Sequence, residues 1–180
     1  MCGIAGYVAF PGCDRSTLSI MAQAIAHRGP DDEAIWTTEG AGLAYRRLAI
    51  IDLSPAGNQP VVSHCGRYVM VYNGEIYNYV ELRRELEALG VRFRGQSDSE
   101  VLLAAYVQWG EAGVSRFNGM WAFAIWDQER KRLFASRDRF GKKPFYYHAR
   151  GPGMLFASEV KALLATRKVR AVPDLKSIAD

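Results

Sequence analysis

Met120-Trp121-Ala122-Phe123-Ala124-Ile125-Trp126, then Asp127-Gln128-Glu129-Arg130, then Arg132-Leu133-Phe134-Ala135-Ser136, is the stretch that decides the fold of this chain. Two β-prone runs joined by a few polar turn residues pair most directly by folding back on each other, so the pattern predicts an antiparallel hairpin. Pro144–His148 and Met154–Ala157, separated by the Gly151–Gly153 turn, repeat it downstream. Upstream, Tyr68–Tyr72 is a further β-branched and aromatic run, and Ala34–Thr38 and Gly42–Ile51 are two more. Ile4, Gly6 and Val8 open a short strand at the N-terminus, and a polar loop runs through Pro55, Gly57, Asn58 and Pro60. Helical spacing appears between these blocks. Leu18, Met21, Ala22 and Ile25 share one face of Ser16–Ala26, which ends at the turn chemistry of His27-Arg28-Gly29-Pro30-Asp31-Asp32. Asn78 with Glu81, and Ser97 with Glu100, have capping-box spacing and predict helices closing at Gly90 and near Gly110. Glu159–Leu164 reads as a short closing helix. Helices set between blocks of strands that reverse direction give an α+β fold with mostly antiparallel sheet.

With 180 residues, 49% hydrophobic and 23% charged, the composition is that of one globular domain rather than a fibre, a disordered tail or a disulfide scaffold. No apolar run reaches the roughly 18 residues that cross a bilayer. Met1-Cys2-Gly3-Ile4-Ala5-Gly6-Tyr7 also lacks the basic and apolar regions of a secretory signal, so a cytoplasmic protein is expected. Cys2, Cys13 and Cys65 are odd in number without metal-like spacing and read as free thiols. His27, His64 and His148 are likewise scattered, and no metal site is expected. The net charge of +4 is uneven: residues 1–120 carry ten basic and thirteen acidic side chains, residues 121–180 thirteen and six. Acids interrupt the basic third, as in Arg137-Asp138-Arg139, and no nucleic-acid motif accompanies it. A solvated or protein-facing surface is the better reading.

Three sets of residues can carry chemistry. Cys2 would become the N-terminal residue if Met1 is removed, placing a thiol and a free α-amine on one residue. An α-amine titrates near pH ~8 and can serve as the base for such a nucleophile. Equally, Cys2 is a small hydrophobe at the start of a strand. Asn73-Gly74 reads either as a hairpin turn or as two donors, a side-chain amide and a backbone N–H, for an oxyanion hole. Arg47, Glu75 and Asp98 could bind a zwitterionic amino acid, the guanidinium holding the carboxylate and the acids the ammonium, or could be separate surface charges.

These residues keep company with ordered motifs: Cys2-Gly3-Ile4-Ala5-Gly6, His27-Arg28-Gly29-Pro30-Asp31, Arg47-Leu48-Ala49-Ile50-Ile51-Asp52, Tyr72-Asn73-Gly74-Glu75-Ile76-Tyr77-Asn78, Ser97-Asp98-Ser99-Glu100, Arg137-Asp138-Arg139-Phe140-Gly141 with Lys143-Pro144, and Phe156-Ala157-Ser158-Glu159-Val160-Lys161-Ala162-Leu163. In that order they resemble the N-terminal glutaminase domain of glutamine-hydrolysing asparagine synthetases, a class II glutamine amidotransferase of the N-terminal-nucleophile hydrolase fold. The resemblance covers the whole chain. It implies an αββα sandwich of two mainly antiparallel sheets with Cys2 at the start of a central strand. It also implies hydrolysis of the glutamine side-chain amide to glutamate and ammonia through a Cys2 thioester. Asn73 and Gly74 would hold the oxyanion, Arg47 the α-carboxylate, and Asp98 with Glu75 the α-ammonium, while Leu48, Ile50 and Ile51 line the glutamine pocket.

Two features depart from the full family. Met1 stands ahead of Cys2, and a retained Met1 would turn the catalytic amine into an amide, leaving an inactive or regulatory glutamine- or partner-binding domain. The Ser-Gly-Gly-x-Asp-Ser pyrophosphate loop of the synthetase half is absent from the 180 residues. The expectation is therefore a glutaminase domain over 1–180 with no cofactor of its own, ATP and magnesium belonging to a synthetase domain that partners it in cis or in trans. L-Glutamine is the expected small-molecule partner; nucleic acid and membrane are not expected, and a homodimer stays open. Arg130–Lys143 is the expected docking surface for the partner domain.

Overall fold

The computed structural model describes residues 1–48 and 58–172. Strands β1 (Gly3–Val8), β2 (Asp32–Thr38), β3 (Ala41–Arg47), β8 (Tyr146–Arg150) and β9 (Gly153–Ala157) form one sheet in the order β2-β3-β1-β9-β8. Strands β4 (Val61–Val62), β5 (Tyr68–Ile76), β6 (Gly119–Asp127) and β7 (Arg132–Arg137) form a second in sequence order. Every pairing is antiparallel, and β1 lies at the centre of the first sheet. The helices are α1 (Arg15–Ala24), α2 (Tyr79–Ala88), α3 (Asp98–Trp109) and α4 (Val160–Ala165).

Side-chain alternation along the strands sorts the core into three layers. Ala5, Tyr7, Leu155 and Ala157 point at Leu18 and Met21 of α1, at Ile25 just after it, and at Ala162 and Leu163 of α4. Met70, Tyr72, Trp121, Phe123 and Ile125 pack on Leu82 and Leu86 of α2 and on Val101 and Leu102 of α3. Between the sheets lie Ile4, Leu43, Tyr45, Val69, Val71, Ala122, Ala124, Trp126 and Phe156. The architecture is the expected αββα sandwich. The Trp121, Phe123 and Trp126 cluster is core, as its period implies, but it serves two layers: Trp126 faces the opposite sheet while the other two face the helices.

Several local expectations give way to tertiary context. Asn73-Gly74 is no turn: β5 runs straight through it to Ile76, pairing Asn73 with Ala122 and Gly74 with Trp121 on β6. A Cβ at Gly74 would collide with the Met120 carbonyl oxygen and come within 2.8 Å of Trp121 Cα, so glycine is kept there for close strand approach. The two predicted capping boxes are not made. The Asn78 side chain instead bonds the backbone of Arg116 and Asn118, and Glu100 accepts the backbone N–H groups of Arg94 and Gly95. A capping box does form one helix earlier, where the Asp14 carboxylate accepts from Thr17 N and Thr17 Oγ1 accepts from Asp14 N. Strand β3 ends at Arg47 with Leu48 outside it, residues 49–51 of the expected Gly42–Ile51 run lie outside the described residues, and β4 is a short edge strand that the sequence pattern did not mark.

Candidate active site

The period-2 alternation that fills the space between the sheets also aims the polar residues at its end. Cys2 precedes β1 in phase with Ile4, Arg47 ends β3 in phase with Tyr45, and Asn73 continues the Val69–Val71 face of β5. The result is a cavity of about 600 Å³ lined by Cys2, Arg47, Leu48, Asn73, Gly74, Glu75 and Asp98 together with Tyr45, Gln59, Tyr72 and Lys143, among others. Every expected site residue that is described therefore meets in one place. Ile50 and Ile51 lie outside the described residues.

Cys2 Sγ accepts a hydrogen bond from the Tyr45 hydroxyl at 3.0 Å and faces the N–H and carbonyl of Leu48 at 3.4 and 3.5 Å. The Cys2 carbonyl accepts from Arg28 Nε at 3.0 Å. Arg28 Nη1 bonds Glu159 Oε1 at 3.0 Å, the same oxygen contacts His27 Nε2 at 2.9 Å, and Lys161 Nζ reaches Glu159 Oε2 at 3.1 Å. The turn after α1 and the start of α4 are thus clamped together behind the nucleophile. Burial disfavours the Glu159 carboxylate, but its bonds to Arg28, Lys161 and His27 outweigh that and hold it at about 2. Gly29 lets this turn lie against β3: a Cβ there would collide with the Arg46 carbonyl and stand 2.6 Å from Arg47 N. Asp31 N–H in turn donates to the Arg47 carbonyl.

Across the cavity, Asn73 is 3% exposed and its Nδ2 has no hydrogen-bond partner among the described residues. Such a donor costs roughly 1–3 kcal/mol, so an arrangement that keeps one invites an acceptor from outside the chain. Arg47 is buried and donates to Asn58 Oδ1. Asp98 begins α3, where the helix dipole favours an anion. Its Oδ2 accepts from the Tyr72 hydroxyl at 2.7 Å and from Ile76 N–H at 2.9 Å. Burial still raises its pKa, the bonds to Ile76 and Tyr72 only opposing the shift. Glu75 is exposed at the rim.

Met1 also lines the cavity, and Lys143 Nζ contacts its Sδ at 3.3 Å. Lys143 is 7% exposed and has no carboxylate within ion-pair distance among the described residues. This divides the stretch expected to form a docking surface. Arg130, Lys131, Arg132, Arg137, Arg139 and Phe140 are exposed, as is Lys142 beside the cavity, whereas Asp138 and Lys143 are buried and Lys143 lines the cavity. A second cavity, of about 630 Å³, lies between Val61–Cys65 and α3, is walled largely by apolar side chains and shares no residue with the first. The chemistry selects the Cys2 cavity. Sequence reasoning missed Tyr45, Gln59, Tyr72 and Lys143. Tyr45 carried a signal, since strand alternation puts it on the face of Arg47, and Tyr72 and Lys143 stood within the quoted motifs without an assigned role.

A sequence model described as a glutamine amidotransferase domain matches residues 1–180. The chain belongs to this family. Over 185 residues this amidotransferase domain is 42% identical to asparagine synthetase [glutamine-hydrolyzing] 3 of Bacillus subtilis, covering all of this chain and 30% of that protein. It is 40% identical over 188 residues to putative asparagine synthetase [glutamine-hydrolyzing] 2 of Methanocaldococcus jannaschii, covering 94% of this chain and 36% of the other. The domain thus spans about a third of the length of these relatives. Among solved structures, the glutamine phosphoribosylpyrophosphate amidotransferase of Bacillus subtilis superposes with a TM-score of 0.77 at 20% identity, over 92% of this chain and 44% of that one. The sandwich of the amidotransferase domain is therefore the fold of an amidotransferase. No helix among its described residues is long and apolar enough to cross a membrane.

Proposed function

We propose that this domain hydrolyses the side-chain amide of L-glutamine to glutamate and ammonia, and supplies the ammonia to an ATP-dependent synthetase domain joined to it in cis or in trans. The observation that carries the reading is the buried, unpartnered Asn73 Nδ2 in the same cavity as Cys2 Sγ. A donor without a ground-state partner suits an acceptor that exists only around a transition state.

With Met1 removed, the Cys2 α-amine takes the thiol proton. The sulfur attacks the amide carbon, and the carbonyl π electrons move to an oxyanion held by Asn73 Nδ2 and the Gly74 N–H. Collapse expels ammonia, which carries off the proton held by the amine, and leaves a γ-glutamyl thioester. Water, giving a proton to the Cys2 α-amine, then adds to the thioester; the C–S bond breaks, the Cys2 sulfur recovers that proton as the free thiol, and glutamate leaves. Arg47 clamps the α-carboxylate, and Asp98, with Glu75 at the rim, holds the α-ammonium. The three free thiols suit a reducing, cytoplasmic setting.

Two measurements on one sample test the reading: intact mass and glutamate release from glutamine. A chain short of one methionine that releases glutamate supports it, and the same chain releasing none overturns it. Met1 beside the cavity gives the second reading its basis, a glutamine-binding module without turnover, which requires the full mass together with saturable glutamine binding.

A further inference from the structure

We propose that the Tyr45 hydroxyl is a further catalytic group, the hydrogen-bond donor that stabilises the Cys2 thiolate and holds its sulfur at the cavity wall. The inference rests on Cys2 being the nucleophile.

Tyr45 lies on β3 opposite Ile4 of β1, and its ring is 5% exposed in the core between the sheets. The packed ring leaves its hydroxyl only the cavity end, where it meets Cys2 Sγ at 3.0 Å. The contacts around the sulfur distinguish its two protonation states. As a thiol, Cys2 can direct its proton at the Leu48 carbonyl and accept from Tyr45. As a thiolate it has two donors in reach, the Tyr45 hydroxyl and the Leu48 N–H. Bonds to an ionised acceptor are roughly twice as strong as neutral ones, so the pair favours the thiolate. Burial raises the pKa of Tyr45 far above its ordinary value, with the neighbouring Cys2 adding to the shift. Tyr45 therefore remains a donor wherever the thiolate exists.

The test is the pH profile of Cys2 alkylation by iodoacetamide on the full chain, for wild type and Tyr45→Phe, followed by the mass of the Cys2 peptide so that Cys13 and Cys65 do not interfere. Losing a donor to the thiolate is expected to move the midpoint up by about one pH unit. Thiolate nucleophilicity rises with basicity, with a Brønsted slope of about 0.4–0.5, so the change has two signs. Below both midpoints the variant reacts about threefold more slowly, and above both about threefold faster. Crossing profiles support the proposal. Coincident profiles, or a variant slower at every pH, overturn it, because a structural loss would not accelerate the reaction at high pH. If Tyr45→Phe does not fold, 3-fluorotyrosine placed at position 45 keeps the hydroxyl and strengthens it as a donor; the midpoint then falls, and an unmoved midpoint overturns the proposal. Alkylation needs no glutamine, so a wild type that crosses profiles with the variant but releases no glutamate defeats the glutaminase reading alone. A wild type that turns over glutamine with coincident profiles defeats the Tyr45 proposal alone.

Discussion

Asn73 and Asp98 carry opposite electrostatic problems, and their variants separate transition-state binding from ground-state binding. Asn73 Nδ2 has no ground-state partner among the described residues to lose. Asn73→Ala is therefore expected to lower kcat for glutamine hydrolysis by about 10²–10³-fold, the usual cost of an oxyanion donor, with KM little changed. An effect confined to KM would return Asn73 to a structural role. Asp98 must be ionised to hold an ammonium, yet burial raises its pKa. Glutamine binding should accordingly weaken as pH falls, beginning at a higher pH than an ordinary aspartate would cause. Asp98→Asn should raise KM at least about tenfold and remove that pH dependence. A KM that is flat with pH in the wild type, or unchanged in the variant, would take Asp98 out of the site. At this scale the sequence was legible where residue chemistry is distinctive: a cysteine at position 2, a buried arginine at a strand end, an acid at a helix start. It was not legible for Gln59, whose amide bonds both backbone groups of Tyr72 from within a polar loop.

Local signals at element ends were the least secure, because long-range partners compete for the same groups. Asn-Gly is a strong hairpin signal, but β6 offers an uninterrupted ladder along β5, and nine paired residues outweigh a turn preference. Asn78 and Glu100 were read as caps, and both serve backbone groups of neighbouring loops instead. The hairpin of β6 and β7 was legible because its turn residues and its apolar runs agree. Asp127 there accepts from Nε and Nη2 of Arg67 and from the N–H groups of Glu129 and Arg130. Asp138 performs the corresponding task where β7 ends. Its carboxylate accepts the N–H groups of Trp121, Phe140, Lys142 and Lys143, shaping the loop that brings the exposed Lys142 and the buried Lys143 to the cavity. Burial opposes its ionisation, but these four donors hold its pKa below the usual value. Asp138→Ala leaves buried N–H groups unpaired and should cost about 3 kcal/mol, lowering Tm by roughly 6–12 °C in a domain of this size. A variant melting with the wild type would show that the loop is held by Arg137, which bonds the carbonyls of Gly141 and Lys143.

Across the whole molecule, three core layers hold two sheets face to face, and the site occupies one end of the gap between them. Apolar alternation explains the layers but not what closes the first sheet around residue 2, since that element pairs residues far apart in the chain. Glu159 supplies the closure. From the start of α4 it joins Arg28, and through Arg28 the Cys2 carbonyl, so that the motifs at 27–31 and 156–163, which have no chemistry of their own, meet behind the nucleophile. The pH consequence follows from the depressed pKa. A carboxyl at about 2 in the folded chain and near 4.5 when unfolded stabilises the fold fully above about pH 4.5, and that contribution is lost as pH falls toward 2. The fall from 4.5 to about 2 is worth about 3 kcal/mol unscreened, and solvent around this partly exposed cluster reduces it to about 2 kcal/mol. Glu159→Gln should therefore be less stable than wild type by about that amount at pH 7, and the gap should close progressively below pH 4.5 until the two chains unfold at similar urea concentrations near pH 2. Equal urea midpoints at pH 7 would mean that Arg28 holds Cys2 without Glu159. A gap that persisted unchanged at pH 2 would mean that Glu159 acts through packing rather than through its charge.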